Sequence, residues 1–238
     1  KLFIAREGNV LIDADYSQIE LRLLAHFSQC KALLEAYHDN LDIHAATAAK
    51  LFKVALSDVT PELRRRAKTI NFGIIYGMSA FGLAKDLGCS NDEAQRYINA
   101  YFATHPEVRA YMEENVRRAK EDGYVTTLLG RKRYIVELKS GNFNQRAFGE
   151  RAAMNMPLQG SAADIIKIAM LRVTKRLGQE GMAAKLVLQV HDELILDAPE
   201  SEAEAAKSLL KEEMEAATEL RVPLIAEVST GKSWYEAK

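Results

Sequence analysis

Three acidic side chains stand beside apolar segments that have the composition of buried strands. Asp15 follows the apolar residues 10–12, and Asp192 and Glu193 lie in a short charged turn between two further apolar segments. A carboxylate in an apolar sheet needs a partner, because burying an unpaired charge is costly. Magnesium is one such partner, since it binds one or two carboxylates together with substrate phosphates. Spacing alone does not choose between Asp13 and Asp15, and a turn or surface aspartate is the alternative for any one of them.

A second set of residues could bind a nucleotide. Arg64, Lys68, Phe72 and Tyr76 recur at intervals of four, which places them in one stripe on a helix. Cations suit phosphates and flat rings suit a base or sugar. Cations at a helix N-terminus oppose the helix dipole, a cost that a bound phosphate would offset. The alternative is a solvated basic first turn followed by aromatic residues of the core.

Capping residues and apolar periodicity indicate the elements that must position these side chains. The strand predictions are residues 10–12, 124–129, 133–138, 185–190, 194–196 and 224–228. The helix predictions are residues 18–27, 43–52, 61–76, 91–105, 106–122, 144–156, 161–179 and 201–218, with Pro157 breaking or kinking the chain between two of them. This order predicts an α+β fold in which a sheet platform carries a mostly helical insertion.

Composition sets broad limits on function. The chain is 48% hydrophobic with a net charge of −1, so its overall charge does not indicate nucleic-acid binding. Residues 62–151 nevertheless hold sixteen Lys and Arg against eleven Asp and Glu, which allows a locally positive face. The two cysteines form no CxxC pair; this argues against a disulfide framework or zinc site and favours a reducing, cytoplasmic setting. No apolar run approaches membrane-spanning length, so no membrane association is expected.

Three segments resemble the polymerase motifs of the bacterial DNA polymerase I family, family A. They are residues 15–22 (DYSQIELR), residues 64–77 (RRRAKTINFGIIYG) and residues 190–193 (VHDE), in the order and with the separations typical of that family. The resemblance implies a right-hand polymerase core with an antiparallel-sheet palm and a mostly helical fingers insertion, lacking the thumb. We assign residues 1–40 and 139–238 to the palm and residues 41–138 to the fingers.

The resemblance also implies roles for the acidic and basic residues. Asp15 and Asp192 would hold two Mg²⁺ ions together with the backbone carbonyl of Tyr16, and Glu193 would lie beside this catalytic site. Arg64 and Lys68 would grip the triphosphate of the incoming nucleotide, with Lys68 as the candidate proton donor to the pyrophosphate leaving group.

The remaining implied contacts concern the nucleotide and the DNA. Phe72 would pack on the sugar and base, and Tyr76 would lie near the templating position. Glu20 would pack beneath the deoxyribose and pair with Tyr76, while Gln18 and His44 would line the nucleotide pocket. Contacts to the primer–template, partly through the minor groove, would come from Arg151, Asn155, Gln159 and His191. The hydrogen-bond acceptors of the minor groove are arranged similarly in all correct base pairs, so such contacts can check the shape of a pair without reading its sequence.

The implied activity is DNA-templated nucleotidyl transfer from a dNTP to a primer 3′-hydroxyl with release of pyrophosphate, in DNA replication or repair. We expect a cytoplasmic monomer that is a C-terminal fragment of a longer protein, because the sequence begins with Lys1 and lacks the thumb and upstream palm. Weak DNA binding and the absence of proofreading are expected for the same reason. Two alternatives remain: a fragment that binds nucleotide or DNA without activity, and a carboxylate-site nuclease, which leaves the stripe of Arg64 to Tyr76 unexplained.

Overall fold

The structure, a computed structural model, describes residues 2–238 of the chain. The helices are α1 (Ile19–Ser28), α2 (Lys31–His38), α3 (Ile43–Phe52), α4 (Pro61–Ile75), α5 (Ala80–Leu87), α6 (Asn91–Thr104), α7 (Pro106–Asp122), α8 (Phe143–Gln179), α9 (Ala203–Glu215) and α10 (Trp234–Ala237). The strands are β1 (Asn9–Tyr16), β2 (Tyr124–Thr126), β3 (Lys132–Tyr134), β4 (Lys185–Val190), β5 (Glu193–Pro199) and β6 (Ala226–Gly231).

The chain divides into two compact units. The sheet unit contains the segment that ends at Glu20 together with Ala162–Lys238, and the helical unit contains Leu21–Ser161. These boundaries follow compactness and differ from the positions 40/41 and 138/139 expected between palm and fingers. The assignment of palm and fingers to residue ranges stays a prediction.

The sheet unit is built on four antiparallel strands in the order β4-β5-β1-β6. Strand β1 lies between two neighbours, and its residues Leu11, Ile12 and Ala14 are buried. The Tyr16 side chain is also buried, and its hydroxyl donates a hydrogen bond of 2.6 Å to the carbonyl of Met214 in α9. The predicted α+β class with an antiparallel sheet is therefore confirmed.

Helix α4 begins and ends where its sequence predicts. The Thr60 hydroxyl accepts a 3.2 Å hydrogen bond from the Leu63 amide, and Pro61 occupies the first helical position, where a missing N–H costs nothing. At the other end Tyr76 is the cap and Gly77 has a φ of +61°, a conformation that side chains disfavour. Asp42 likewise caps α3 by accepting hydrogen bonds from His44 and Ala45.

Helix α8 is a single helix of 37 residues with Pro157 inside it. The prediction of two helices, with the second beginning at residue 161, is therefore wrong. Proline removes one backbone hydrogen bond from a helix and usually breaks or kinks it.

Packing on both sides of the proline explains why the helix continues. Pro157 and Leu158 are buried in the helical unit, so leaving the helix here would expose apolar surface. The Ser161 hydroxyl donates to the Pro157 carbonyl and accepts a 2.8 Å hydrogen bond from the amide of Leu128. Long-range burial thus outweighs the single lost backbone bond.

Several shorter elements also differ from the sequence prediction. The hairpin of β2 and β3 has only three residues in each strand, because a 3-10 turn at Val136–Lys139 follows it. Strand β6 starts two residues later than expected and extends to Gly231. Helices α2, α5 and α10 were not predicted, since eight residues or fewer are too short for a clear apolar period. No helix within residues 2–238 is long and apolar enough to cross a membrane.

Candidate carboxylate and nucleotide-binding site

Strand pairing brings the predicted carboxylates together at one place in the sheet unit. Asp15 of β1 lies directly opposite Glu193 of β5. The backbone N–H of Tyr16 donates a 3.3 Å hydrogen bond to the carbonyl of Asp192, in the turn between β4 and β5. His191 forms the rest of this turn with a φ of +53°, and its carbonyl accepts a 2.6 Å hydrogen bond from the side chain of Gln189.

The electrostatics of this cluster favour a bound cation. Burial, followed by the charges of Asp192 and Glu193, raises the pKa of Asp15 to about 7. Burial also raises the pKa of Asp192, with a further contribution from Glu193. Each carboxylate is thus harder to ionise because it is partly buried and because its neighbours are negative. A divalent cation would relieve this repulsion.

The structure separates the roles of Asp13 and Asp15. Asp13 is only 5% exposed, and its Oδ2 accepts a 3.2 Å hydrogen bond from Nε1 of Trp234. Burial, then the charge of Glu193, raises the Asp13 pKa to about 6. Asp15, at the end of the strand, is the more exposed of the two residues, although the protein around it removes part of the hydration of its carboxyl group. Access therefore favours Asp15 as the ligand of a cation and leaves Asp13 as a buried neighbour.

Glu193 is buried, and its Oε1 accepts a hydrogen bond from Nζ of Lys238. The Lys238 charge acts to lower the pKa of Asp13, Asp15 and Asp192, although burial and the other carboxylates raise these values more. Sequence reasoning missed Lys238, because a single lysine far along the chain carries no spacing signal. Among residues 2–238, no group of three or more His, Cys, Asp or Glu side chains is arranged to hold a metal.

The basic and aromatic stripe lies on α4 in the helical unit. Arg64 and Lys68 are exposed, and Phe72 and Tyr76 are half-buried. The two rings stack with centroids 6.1 Å apart. Arg64 Nε donates to Asp42 Oδ2 at 2.5 Å. Arg64, Lys68 and Phe72 thus lie in α4 at the expected spacing and Tyr76 is its C-cap, and their binding of a nucleotide stays a prediction.

His44 supports this stripe from the interior. Its side chain is 2% exposed, and Nδ1 lies 2.9 Å from the amide nitrogen of Asn71, which can only donate. With the amide nitrogen as the donor, Nδ1 is the acceptor, which assigns the ring proton of neutral His44 to Nε2. Burial lowers the His44 pKa to about 4, and the charges of Arg64 and Lys68 act in the same direction. The His44 ring lies 5.9 Å from that of Phe72.

Three of the four residues predicted to contact DNA, Arg151, Asn155 and Gln159, recur at intervals of four in α8, whereas His191 lies in the turn between β4 and β5. Arg151 and Gln159 are exposed, whereas Asn155 is half-buried and donates a 3.3 Å hydrogen bond to the Tyr76 carbonyl. A side chain at Gly77 would put its Cβ 2.7 Å from Met154 and 3.1 Å from Arg151. The end of α4 is thus fitted closely against this part of α8.

Gln18 and Glu20 lie in the sheet unit at the start of α1, both half-buried, with Gln18 at a φ of +57°. Positive φ is uncommon for a residue other than glycine. The pairing of Glu20 with Tyr76, which belongs to the helical unit, stays a prediction.

Comparison with known proteins places these features in a family. The sequence model of DNA polymerase family A matches residues 1–236. The chain is 51% identical to DNA polymerase I of Caldicellulosiruptor bescii over 238 residues, which are 100% of this chain and 28% of that protein. It is 53% identical to DNA polymerase I of Bacillus caldotenax over 237 residues, 99% of this chain and 27% of that protein. The chain therefore spans about 28% of the length of its curated relatives.

A solved structure is also similar. The POL domain of Pol1 from M. smegmatis, in complex with a DNA primer-template and dNTP, matches with a TM-score of 0.95 and 45% sequence identity. The match covers 98% of this chain and 41% of the other.

Proposed function

The chain belongs to DNA polymerase family A, and on this premise we propose that it carries the catalytic residues of a DNA-templated DNA polymerase. The reaction joins the primer 3′-oxygen to the α-phosphorus of a dNTP and breaks the bond from that phosphorus to the pyrophosphate. The observation that carries the proposal is that Asp15 and Asp192 lie close together at the end of β1. The backbone N–H of Tyr16, the residue after Asp15, donates a hydrogen bond to the carbonyl of Asp192.

The family uses divalent metals, and we propose two Mg²⁺ ions for this chain. The unbalanced negative charge at Asp15 and Asp192 fits such a cation. Magnesium sites with one or two carboxylates are ordinary, because waters and substrate phosphates complete the coordination. Asp15, Asp192 and the carbonyl of Tyr16 would hold the ions. When bound, the metal stabilises the charge that develops on the attacking and leaving oxygens.

The side chains of α4 would bind the incoming nucleotide. Lys68 is exposed and makes no ion pair within residues 2–238, so its ammonium is available for phosphate. Lys68 would give the leaving pyrophosphate its proton. Arg64 would contact the triphosphate by exchanging Asp42, its partner here, for a phosphate oxygen. Bidentate contacts from a guanidinium suit phosphate well.

The remaining assignments concern the sugar, the base and the DNA. Phe72 would pack on the nucleotide, Tyr76 would lie near the templating base, and His44 and Gln18 would line the pocket. Glu20 would exclude a 2′-hydroxyl by occupying its place, which is selection by a repulsive contact. The primer–template contacts would come from the exposed or half-buried residues Arg151, Asn155, Gln159 and His191.

We further infer that the protein is a cytoplasmic monomer. Both cysteines are free thiols, Cys30 buried and Cys89 half-buried, as a reducing compartment allows.

Primer extension with Asp15→Ala and Asp192→Ala tests the proposal. Each variant is compared with Asp86→Ala, which removes an exposed aspartate of α5 in the other unit. We expect the two site variants to remain folded and to lose extension in Mg²⁺, because each removes a metal ligand. Asp86→Ala should extend normally. Full extension by a folded double variant would refute the assignment.

The chain of 238 residues and a form extended at its N-terminus should be assayed side by side. Activity only in the extended form would mean that this segment binds its substrates too weakly alone. Cleavage of DNA without dNTPs would favour the nuclease alternative.

A further inference from the structure

Helix α10 packs closely on strand β6 because Gly231 has no side chain. A Cβ at Gly231 would lie 2.7 Å from the backbone nitrogen of Ala237. The carbonyl of Ser233 accepts hydrogen bonds from Glu236 at 3.1 Å and from Ala237 at 3.0 Å. The backbone that leads to Lys238 is therefore fixed against the sheet.

This helix and the residue after it contact the carboxylate cluster at two points. Trp234 Nε1 donates to Asp13 at 3.2 Å, and Lys238 Nζ donates to Glu193. The Lys238 ammonium lies 5.4 Å from the centroid of the Trp234 ring, within range of a cation–π contact. The Glu193 side chain is 8% exposed and that of Lys238 is 60% exposed. The buried Glu193 carboxylate is thus held by the Lys238 ammonium, which reaches it from the solvent-exposed side.

The cluster is strongly unbalanced in charge without this lysine. Four carboxylates, those of Asp13, Asp15, Asp192 and Glu193, influence one another. In the part of the chain that the structure describes, Lys238 is the one lysine or arginine in an ion pair with any of them. Asp15 and Glu193 are direct cross-strand partners, so their side chains share a face of the sheet and repel one another.

We propose that Lys238 is a positioning residue of the divalent-cation site, which acts by holding the Glu193 carboxylate away from the place that Asp15 and Asp192 share. This inference rests on the proposed function, since it concerns the same metal site. Without the ammonium, Glu193 is free to turn toward a cation and act as an additional ligand. The ion pair therefore decides which carboxylates bind the metal and keeps the cation where the reaction needs it.

The test uses Lys238→Gln and Lys238→Arg in the upstream-extended protein, with Lys232→Gln as the matched control. Lys232 is also 60% exposed in its side chain and pairs with a glutamate, Glu200, outside the cluster. Mn²⁺ binding is measured by calorimetry without nucleotide or DNA, and kcat and KM for dNTP are measured with Mg²⁺.

We expect Lys238→Gln to tighten Mn²⁺ binding about fivefold, the scale of one partly exposed ion pair, because a positive charge leaves and Glu193 is released. It should lower kcat by a similar or larger factor with KM for dNTP unchanged. Lys238→Arg, which keeps the positive charge, should have the Mn²⁺ affinity and kcat of the parent protein. Lys232→Gln should change neither quantity.

A double-mutant cycle with Glu193→Gln shows whether Lys238 acts through Glu193. In that background Lys238→Gln should have no further effect on Mn²⁺ binding or kcat. A persisting full effect would overturn the proposal, and so would a lowered melting temperature with Mn²⁺ affinity unchanged. If the parent protein binds Mn²⁺ with this coupling but extends no primer, the polymerase function fails and the positioning of Glu193 stands.

Discussion

Replacing Gly231 by alanine should loosen α10 from the sheet. The new Cβ would lie 2.7 Å from the Ala237 nitrogen and 2.8 Å from the backbone carbon of Glu236. Backbone atoms cannot rotate away as the end of a flexible side chain can, so the helix must shift. Overpacking of this kind costs about 1–3 kcal/mol. For a chain of 238 residues, that cost lowers the melting temperature by about 2–6 °C.

Gly178→Ala is the matched control, because it is the same chemical change with the opposite expected sign. Gly178 lies in α8 with nothing within 4 Å of the added Cβ. Alanine is favoured over glycine in a helix by up to about 1 kcal/mol. Gly178→Ala should therefore leave the melting temperature unchanged or raise it.

Thermal unfolding and tryptophan fluorescence together provide the assay. Trp234 is the one tryptophan of the chain, and it is half-buried in α10. In Gly231→Ala its emission should shift to longer wavelength before the main transition, since the helix undocks first. Equal melting temperatures for the two glycine variants, with unchanged emission, would refute the close-approach argument.

Two further predictions concern the helical unit. Phe72→Tyr should raise the incorporation of dideoxynucleotides relative to dNTPs. The reason is that a tyrosine hydroxyl can replace the phosphate interaction of the 3′-hydroxyl that a dideoxynucleotide lacks. An unchanged ratio in a competition assay would show that Phe72 does not have this role. Burial lowers the pKa of His44 in the folded protein to about 4, below the usual histidine value of about 6.5. The fold therefore keeps its full stability above pH 6.5, where His44 is neutral in both states, and loses stability as the pH falls toward 4. The free energy of unfolding, measured by denaturant titration, should fall between pH 7 and pH 5 in both proteins. The fall should be about 2 kcal/mol smaller in His44→Gln than in the parent. Equal falls in the two proteins would contradict the role of His44.

Local signals in the sequence predicted several helix ends correctly. Asp42, Thr60 and Ser90 cap their helices through their side chains, and Gly123 ends α7 with a φ of +80°. Each of these features depends on only a few adjacent residues. The family and the antiparallel α+β fold were also predicted correctly, because the motifs and apolar segments are continuous in sequence.

Features that depend on distant residues were not predictable in the same way. The continuity of α8 past Pro157 depends on burial and on the bond from Leu128 to Ser161, which are 33 positions apart. The contact of Lys238 with Glu193 spans 45 positions. Neither leaves a periodic pattern, since both arise only when the chain is folded.

The choice between Asp13 and Asp15 shows why motif spacing alone was insufficient. The two residues are separated by about 7 Å along a strand and point to the same face, so each could carry the same chemistry. Their difference comes from register: Asp15 lies opposite Glu193 at the end of β5, whereas Asp13 lies opposite Ile195. A slip of two residues would bring Asp13 opposite Glu193 and carry Asp15 past the end of β5. Because the β4–β5 hairpin sets that register from the other end of the chain, the ligand is selected by strand pairing.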